Sequence, residues 1–92
     1  MDFGEALKAL KEGKKVARKG WNGKGMFLYL TTGSDVAYSK MKPETQKALI
    51  TYPKSTVTIN GHIDMKAADD SIVIGWLASQ TDMLAEDWCI VN

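Results

Sequence analysis

Eight consecutive residues, Arg18-Lys19-Gly20-Trp21-Asn22-Gly23-Lys24-Gly25, hold three cations, three glycines, one tryptophan and one asparagine. Lys and Arg supply positive charge for phosphates, and Arg can add a two-pronged hydrogen bond. Glycine lets the main chain come close to a ligand. An indole offers a flat face for a nucleobase. Arg18, Trp21, Asn22, Gly23, Lys24 and Gly25, with Met26 next to them, therefore form a candidate nucleotide-binding loop. The same residues also read as a hairpin turn with Trp21 folded inward and its cations solvated, since Asn-Gly is a turn signal in its own right. A second polar group, Ser79-Gln80-Thr81-Asp82, lies between Trp76 and Trp88. Its hydroxyls, amide and carboxylate can read a ribose diol or a base edge. They can equally cap a helix.

Catalytic sets are scarce. His62 is the single histidine and is a candidate general base. Cys89, the single cysteine, sits in an apolar run and reads as core before nucleophile. No His/Cys spacing matches a zinc site, and no phosphate loop ending in Gly-Lys-Ser/Thr is present. Asp69-Asp70 and Glu86-Asp87 are adjacent acids that suit a divalent cation or, as often, turns and caps. The inventory favours a binding protein over an enzyme, with no cofactor or metal expected.

The 92 residues allow a single domain, 1–92. Composition is that of a globular chain, 45% hydrophobic and 25% charged. A net charge of +1 argues against a polymeric nucleic acid as partner. Seven of the 12 basic residues fall between Lys8 and Lys24, which favours a small anion near that end. Three Trp, three Tyr, two Phe and five Met are a large apolar load for so small a chain, so a homo-oligomer is expected. No apolar run reaches the roughly 18 residues of a membrane span. The first residues read as a capped helix and not as a signal peptide, so a cytoplasmic protein is expected.

The pattern of elements predicts an α+β fold: a small antiparallel sheet, an N-terminal helix packed on it, and one or two short helices. Asp2 and Glu5 make a capping pair, Phe3, Ala6, Leu7 and Leu10 recur at helical spacing, and Gly13 ends the helix. Lys15–Arg18 and Met26–Leu30 read as an antiparallel pair, the second apolar throughout and expected to be covered on both faces. Thr31–Asp35 is a turn cluster, and Pro43–Ile50 a short helix. Thr56–Ile59 and His62–Lys66 alternate around Asn60-Gly61 and predict a hairpin. Ile72–Ala78 predicts a buried strand, or one bending at Gly75. Met83–Asp87 predicts a helical turn capped by Thr81 or Asp82, and Trp88–Val91 a last strand.

Three blocks together resemble a known family. Met1-Asp2-Phe3-Gly4-Glu5-Ala6-Leu7, Val16 to Leu28 around the focal loop, and Gly75 to Trp88 are similar to the second Thoeris anti-defence family of phage and prophage proteins, once classed as a domain of unknown function. The segment Thr31 to Asp70 carries no such likeness. The resemblance implies a sponge. Such proteins sequester, without cleaving, the cyclic ADP-ribose isomers made by the Thoeris TIR-domain enzyme. They are small α+β subunits assembled as homotetramers with ligand at subunit interfaces, and some relatives also capture cyclic dinucleotides. For such a ligand, side-chain chemistry puts the diphosphate near Arg18, Lys24 and the glycine amides, and the adenine near Trp21. Hydroxyls and base edges are expected near Asn22, Ser79, Gln80, Thr81 and Asp82. The rival readings are a small cyclic-nucleotide hydrolase or lyase, using His62 or the paired acids, and a protein–protein inhibitor with an exposed aromatic surface.

Overall fold

The computed structural model describes residues 1–92. In chain order the elements are α1 (Phe3–Lys11), β1 (Lys15–Arg18), β2 (Phe27–Thr31), β3 (Ser34–Ala37), a 3-10 turn (Tyr38–Lys40), α2 (Pro43–Ala48), β4 (Thr56–Ile59), β5 (His62–Lys66), β6 (Ile72–Ile74), α3 (Gln80–Leu84) and β7 (Trp88–Val91). The chain forms two compact units, one of Met1–Thr31 with His62–Asn92, the other of Thr32–Gly61. The class is α+β, as the sequence predicts.

In the first unit, α1 begins where expected. Asp2 accepts from the Glu5 N–H at 2.8 Å, and the Glu5 carboxylate accepts from the Asp2 N–H at 3.1 Å. Gly13 follows the helix with φ +85°. Of the expected stripe, Ala6 and Leu10 are buried against Val16, Leu28 and Trp88, and Phe3 and Leu7 are partly buried beside them; Ala9, outside that stripe, is buried as well. The sheet has five strands in the order β6-β5-β2-β1-β7, and all its pairings are antiparallel. Val16 faces Leu28 on one side and Ile90 on the other. One face of the sheet thus gathers Val16, Leu28, Met65 and Trp88 under α1.

Two strand expectations fail here. In β2 only Leu28 is buried, because just one face lies under a helix. Of the two readings of Ile72–Ala78, the bend at Gly75 stands, with φ +83°, but burial does not: β6 is three residues long, forms an edge, and leaves Ile72, Val73 and Ile74 48%, 47% and 73% exposed. Face and edge position explain this: Ile72 and Ile74 lie opposite Lys66 and Asp64 on the face away from α1, and no further strand pairs with β6. Among the strands, α1 contacts β1, β2 and β7.

The second unit is a β3–β4 pair with Val36 opposite Val57, which is buried. Tyr38 and Tyr52 stack with ring centres 6.1 Å apart. The Tyr38 hydroxyl lies 2.6 Å from the Gln46 carbonyl of α2, tying that helix down. Pro43 opens α2 as expected, but the helix ends at Ala48, two residues short of Ile50. The turn cluster is also shorter than predicted, because Thr31 belongs to β2 and Ser34 to β3. The Asn60-Gly61 hairpin does not form. The strand β4 pairs with β3, while β5 pairs with β2 and β6. A tight turn of that type needs positive φ at both central residues, and neither Asn60 nor Gly61 has it.

Candidate functional site

Arg18 is the last residue of β1, opposite Trp88 of β7. Its Nε donates to Asp87 Oδ1 at 2.9 Å and its NH1 donates to Asp82 Oδ1 at 2.8 Å. The pairs are largely shielded, with the Arg18 side chain 16% exposed and that of Asp82 14%. Asp87 also accepts from the Gly20 N–H through Oδ2 at 2.7 Å, which fastens the start of the focal loop. The two carboxylates hold the Arg18 guanidinium still more firmly protonated, its pKa raised chiefly by the bond to Asp87.

Asp82 is a hub. Its Oδ1 takes Arg18 and the Trp21 indole Nε1 at 3.4 Å, while its Oδ2 takes the Ser79 N–H and hydroxyl. Its backbone carbonyl takes the Trp88 indole at 3.0 Å. Both carboxylate oxygens are therefore committed within the chain, and Asp82 shapes the site by orienting its neighbours. Burial works against the charge on Asp82, but the bonds from Arg18 and Ser79 prevail and hold the carboxyl below its usual range. The bond from Arg18 does the same at Asp87.

These shifts carry a sign. A carboxyl whose folded pKa lies below its unfolded value stabilises the fold above the unfolded pKa, and that contribution is lost as pH falls through the folded one. The Arg18 cluster is therefore expected to be intact at neutral pH and to loosen only below the ordinary carboxyl value of 3.8. An acid titration followed by near-UV circular dichroism of the tryptophans should show the loss there. Loss of the signal near pH 6 would contradict it.

Trp21 is half-buried. Its ring meets Trp88 at 5.4 Å and 79° and Trp76 at 6.4 Å and 64°, both edge-on. Such pairs add about 0.5–1.5 kcal/mol each beyond burial. The indole is neither a free paddle nor sealed inside: it is held by Asp82, Trp76 and Trp88 and stays partly exposed. After it, Asn22, Lys24 and Gly25 are exposed. Gly23 has no room for a side chain, since a Cβ there would meet Met26 Sδ and lie 2.9 Å from Ala68 Cβ. Met26 thus folds under the loop. Lys24 takes part in no ion pair of the structure.

The segment Ser79–Asp82 does cap a helix. Ser79 is the N-cap of α3 and forms a reciprocal capping box with Asp82. This corrects the expected turn Met83–Asp87: the helix starts at Gln80, because Ser79 and not Thr81 or Asp82 supplies the cap. Gln80 and Thr81 stay exposed on the first turn. Arg18, Trp21, Ser79 and Asp82 are brought into one bonded cluster, with the loop residues 22–26 following directly from it.

Other candidates fall elsewhere. His62 Nδ1 lies 2.7 Å from Asp64, which is buried and also accepts from Thr31. Asp70 pairs with Lys66, Asp69 binds Ser71, and Asp87 binds Arg18. No group of three or more His, Cys, Asp or Glu side chains is assembled to hold a metal ion. Cys89 Sγ lies 3.4 Å from the Ala17 carbonyl and is not fully buried. A cleft of about 270 Å³ in the second unit is lined by Gly33, Ser34, Asp35, Thr58, Ile59, Asn60 and Gly61, none of them predicted. Sequence reasoning also missed Asp87 as the second Arg18 partner. The signal was available: a carboxylate next to Trp88, with an unpaired cation cluster elsewhere in the chain.

The sequence model of the Thoeris anti-defense 2-like domain matches residues 1–91, so it spans both units and includes Thr31 to Asp70, where the sequence by itself shows no likeness. The chain is also similar to the Thoeris anti-defense 2 protein of Bacillus phage SP01. The two are 45% identical over 92 residues, covering 100% of this chain and 96% of the phage protein.

Proposed function

The chain belongs to the Thoeris anti-defense 2-like family, and we propose that it counters Thoeris by capturing a cyclic ADP-ribose isomer and holding it chemically unchanged. The observation that carries this reading is Trp21. A half-open indole, braced by Trp76, Trp88 and Asp82, stands at the root of a loop with free cations and exposed amides. Stacking of a base on such a ring contributes about 1–3 kcal/mol. Lys24, the uncommitted end of Arg18 and the loop amides suit a diphosphate. Asn22, Gln80 and Thr81 suit hydroxyls and base edges. Asp82 and Ser79 serve by holding these groups in place.

A protein that must outcompete a receptor needs nanomolar affinity, about −12 kcal/mol. One stack and a few exposed polar contacts fall short of that in water. The remedy within this reading is a homo-oligomer, a tetramer by family resemblance, whose second subunit closes the pocket and excludes water. Leu77 and Leu84, 89% and 75% exposed, are apolar surface that such an assembly can cover.

The test is capture followed by release. The protein is mixed with cyclic ADP-ribose isomers, unbound ligand is removed, and the complex is heated. Recovery of intact ligand in near-stoichiometric amount is the expected result. Recovery of an opened or hydrolysed product would favour the enzyme reading. No ligand bound by any isomer would favour direct inhibition of a protein partner.

A further inference from the structure

Asp64 is a buried carboxylate outside the cluster described above. It lies mid-strand in β5, 2% exposed, where simple alternation would put a solvated side chain. It accepts three hydrogen bonds: from Thr31 Oγ1 at 2.6 Å, from His62 Nδ1 at 2.7 Å, and from the Gly75 backbone N–H at 3.0 Å. The third is the informative one, because it interrupts a sheet ladder.

The register of β5 with β6 is Lys66↔Ile72, Met65↔Val73 and Asp64↔Ile74. Continued regularly, it would set Ile63 against Gly75. Instead the Trp76 N–H donates to the Ile63 carbonyl at 2.7 Å, and the Gly75 N–H turns to the Asp64 side chain. Gly75 is thus an extra residue with φ +83°, a glycine bulge. A one-residue slip moves every following side chain to the other face of a sheet. Without the bulge Trp76 would share the open face with Ile74 and Asp64. With it, Trp76 joins Trp21 and Trp88 on the face that α1 covers, 6.4 Å and 6.2 Å from them.

We propose that Asp64 is a positioning residue for the Trp21 site: its carboxylate, held by Thr31 and His62, stabilises the Gly75 bulge that swings Trp76 across the sheet to brace Trp21. The effect on ligand rests on the capture reading given above; the effect on Trp76 does not. Thr31 and His62 keep the carboxylate aimed, and Gly75 supplies the backbone conformation that other residues resist. The site at one end of the sheet is therefore set from the opposite face of it.

The experiment uses the full chain with Asp64→Asn, Gly75→Val and Gly75→Asn. Gly75 is exposed and an added Cβ meets nothing within 4 Å, so Gly75→Val tests the backbone conformation and not packing. The readouts are the near-UV circular dichroism of the coupled indoles in the free protein and a calorimetric titration with cyclic ADP-ribose isomers. Gly75→Val is expected to remove most of the indole signal while far-UV dichroism stays native-like. It should also weaken binding by about tenfold or more, the loss expected when an aromatic stack is misplaced. Asp64→Asn, which keeps the shape but not the charge, should move both readouts the same way. Gly75→Asn should preserve both, since Asn tolerates a left-handed backbone. A wild-type indole signal in Gly75→Val would overturn the proposal even if Asp64→Asn fails to fold. So would a lost signal with unchanged affinity. If the wild-type protein binds no isomer, the capture reading falls, and the dichroism alone still decides the role of Asp64.

Discussion

Trp88→Ala is expected to remove a large share of the protein's stability. Trp88 is 1% exposed and heads the largest fully buried side chains. It packs on Phe3 with ring centres 5.5 Å apart, on Trp21 at 5.4 Å and on Trp76 at 6.2 Å. Its indole also satisfies the Asp82 carbonyl. Truncating a buried Trp costs about 3–5 kcal/mol. A domain of this size has a total of only about 5–14 kcal/mol. Urea denaturation should show a midpoint far below that of the wild type. A midpoint close to that of the wild type would mean that the tryptophan cluster is not the core.

Trp21→Ala is expected to act differently, mainly on ligand. Removing one stack at about 1–3 kcal/mol should weaken capture of a cyclic ADP-ribose isomer by roughly 5- to 150-fold. Stability should also fall, by about 2 kcal/mol, roughly half the figure for a fully buried indole, because Trp21 is only half enclosed. Trp21→Phe separates the two effects. It keeps a ring against Trp88 and loses the 3.4 Å contact to Asp82, so stability should largely return while affinity recovers in part. Calorimetry on samples shown to be folded is the measurement. Wild-type affinity in folded Trp21→Ala would remove Trp21 from the site.

The two substitutions also show what kind of residue a sequence can and cannot reveal. Both tryptophans were visible in the chain, one in the focal loop and the other at the end of the Ser79–Asp82 block. Their difference was not. Trp88 faces α1 because β7 lies beside β1 with Arg18 opposite Trp88, a pairing between residues far apart in the chain. In the sequence, Arg18 and Asp82 read as separate ligand-facing groups. In the fold they are first of all each other's partners, 64 residues apart in sequence.

What the sequence determined alone is what neighbours decide. The helix α1, its capping box, its stripe and its end at Gly13 depend on contacts three or four residues apart, and all stand as expected. The same holds for Pro43 at the start of α2 and for the strands β1, β4, β5 and β7 as extended segments. Family membership was legible for a related reason, since three blocks carried it in their residues. Tertiary structure decided every choice of partner. Asn60-Gly61 has the composition of a hairpin, yet β4 takes β3 and β5 takes β2 and β6, because a strand offers the same backbone groups to any neighbour and the sheet as a whole selects among them. It left β6 open because the strand is an edge and turns Ile72 and Ile74 to the face away from α1. It buried Asp64 against local alternation because three donors, two of them from other strands or turns, converge there and replace the water that the charge would otherwise require.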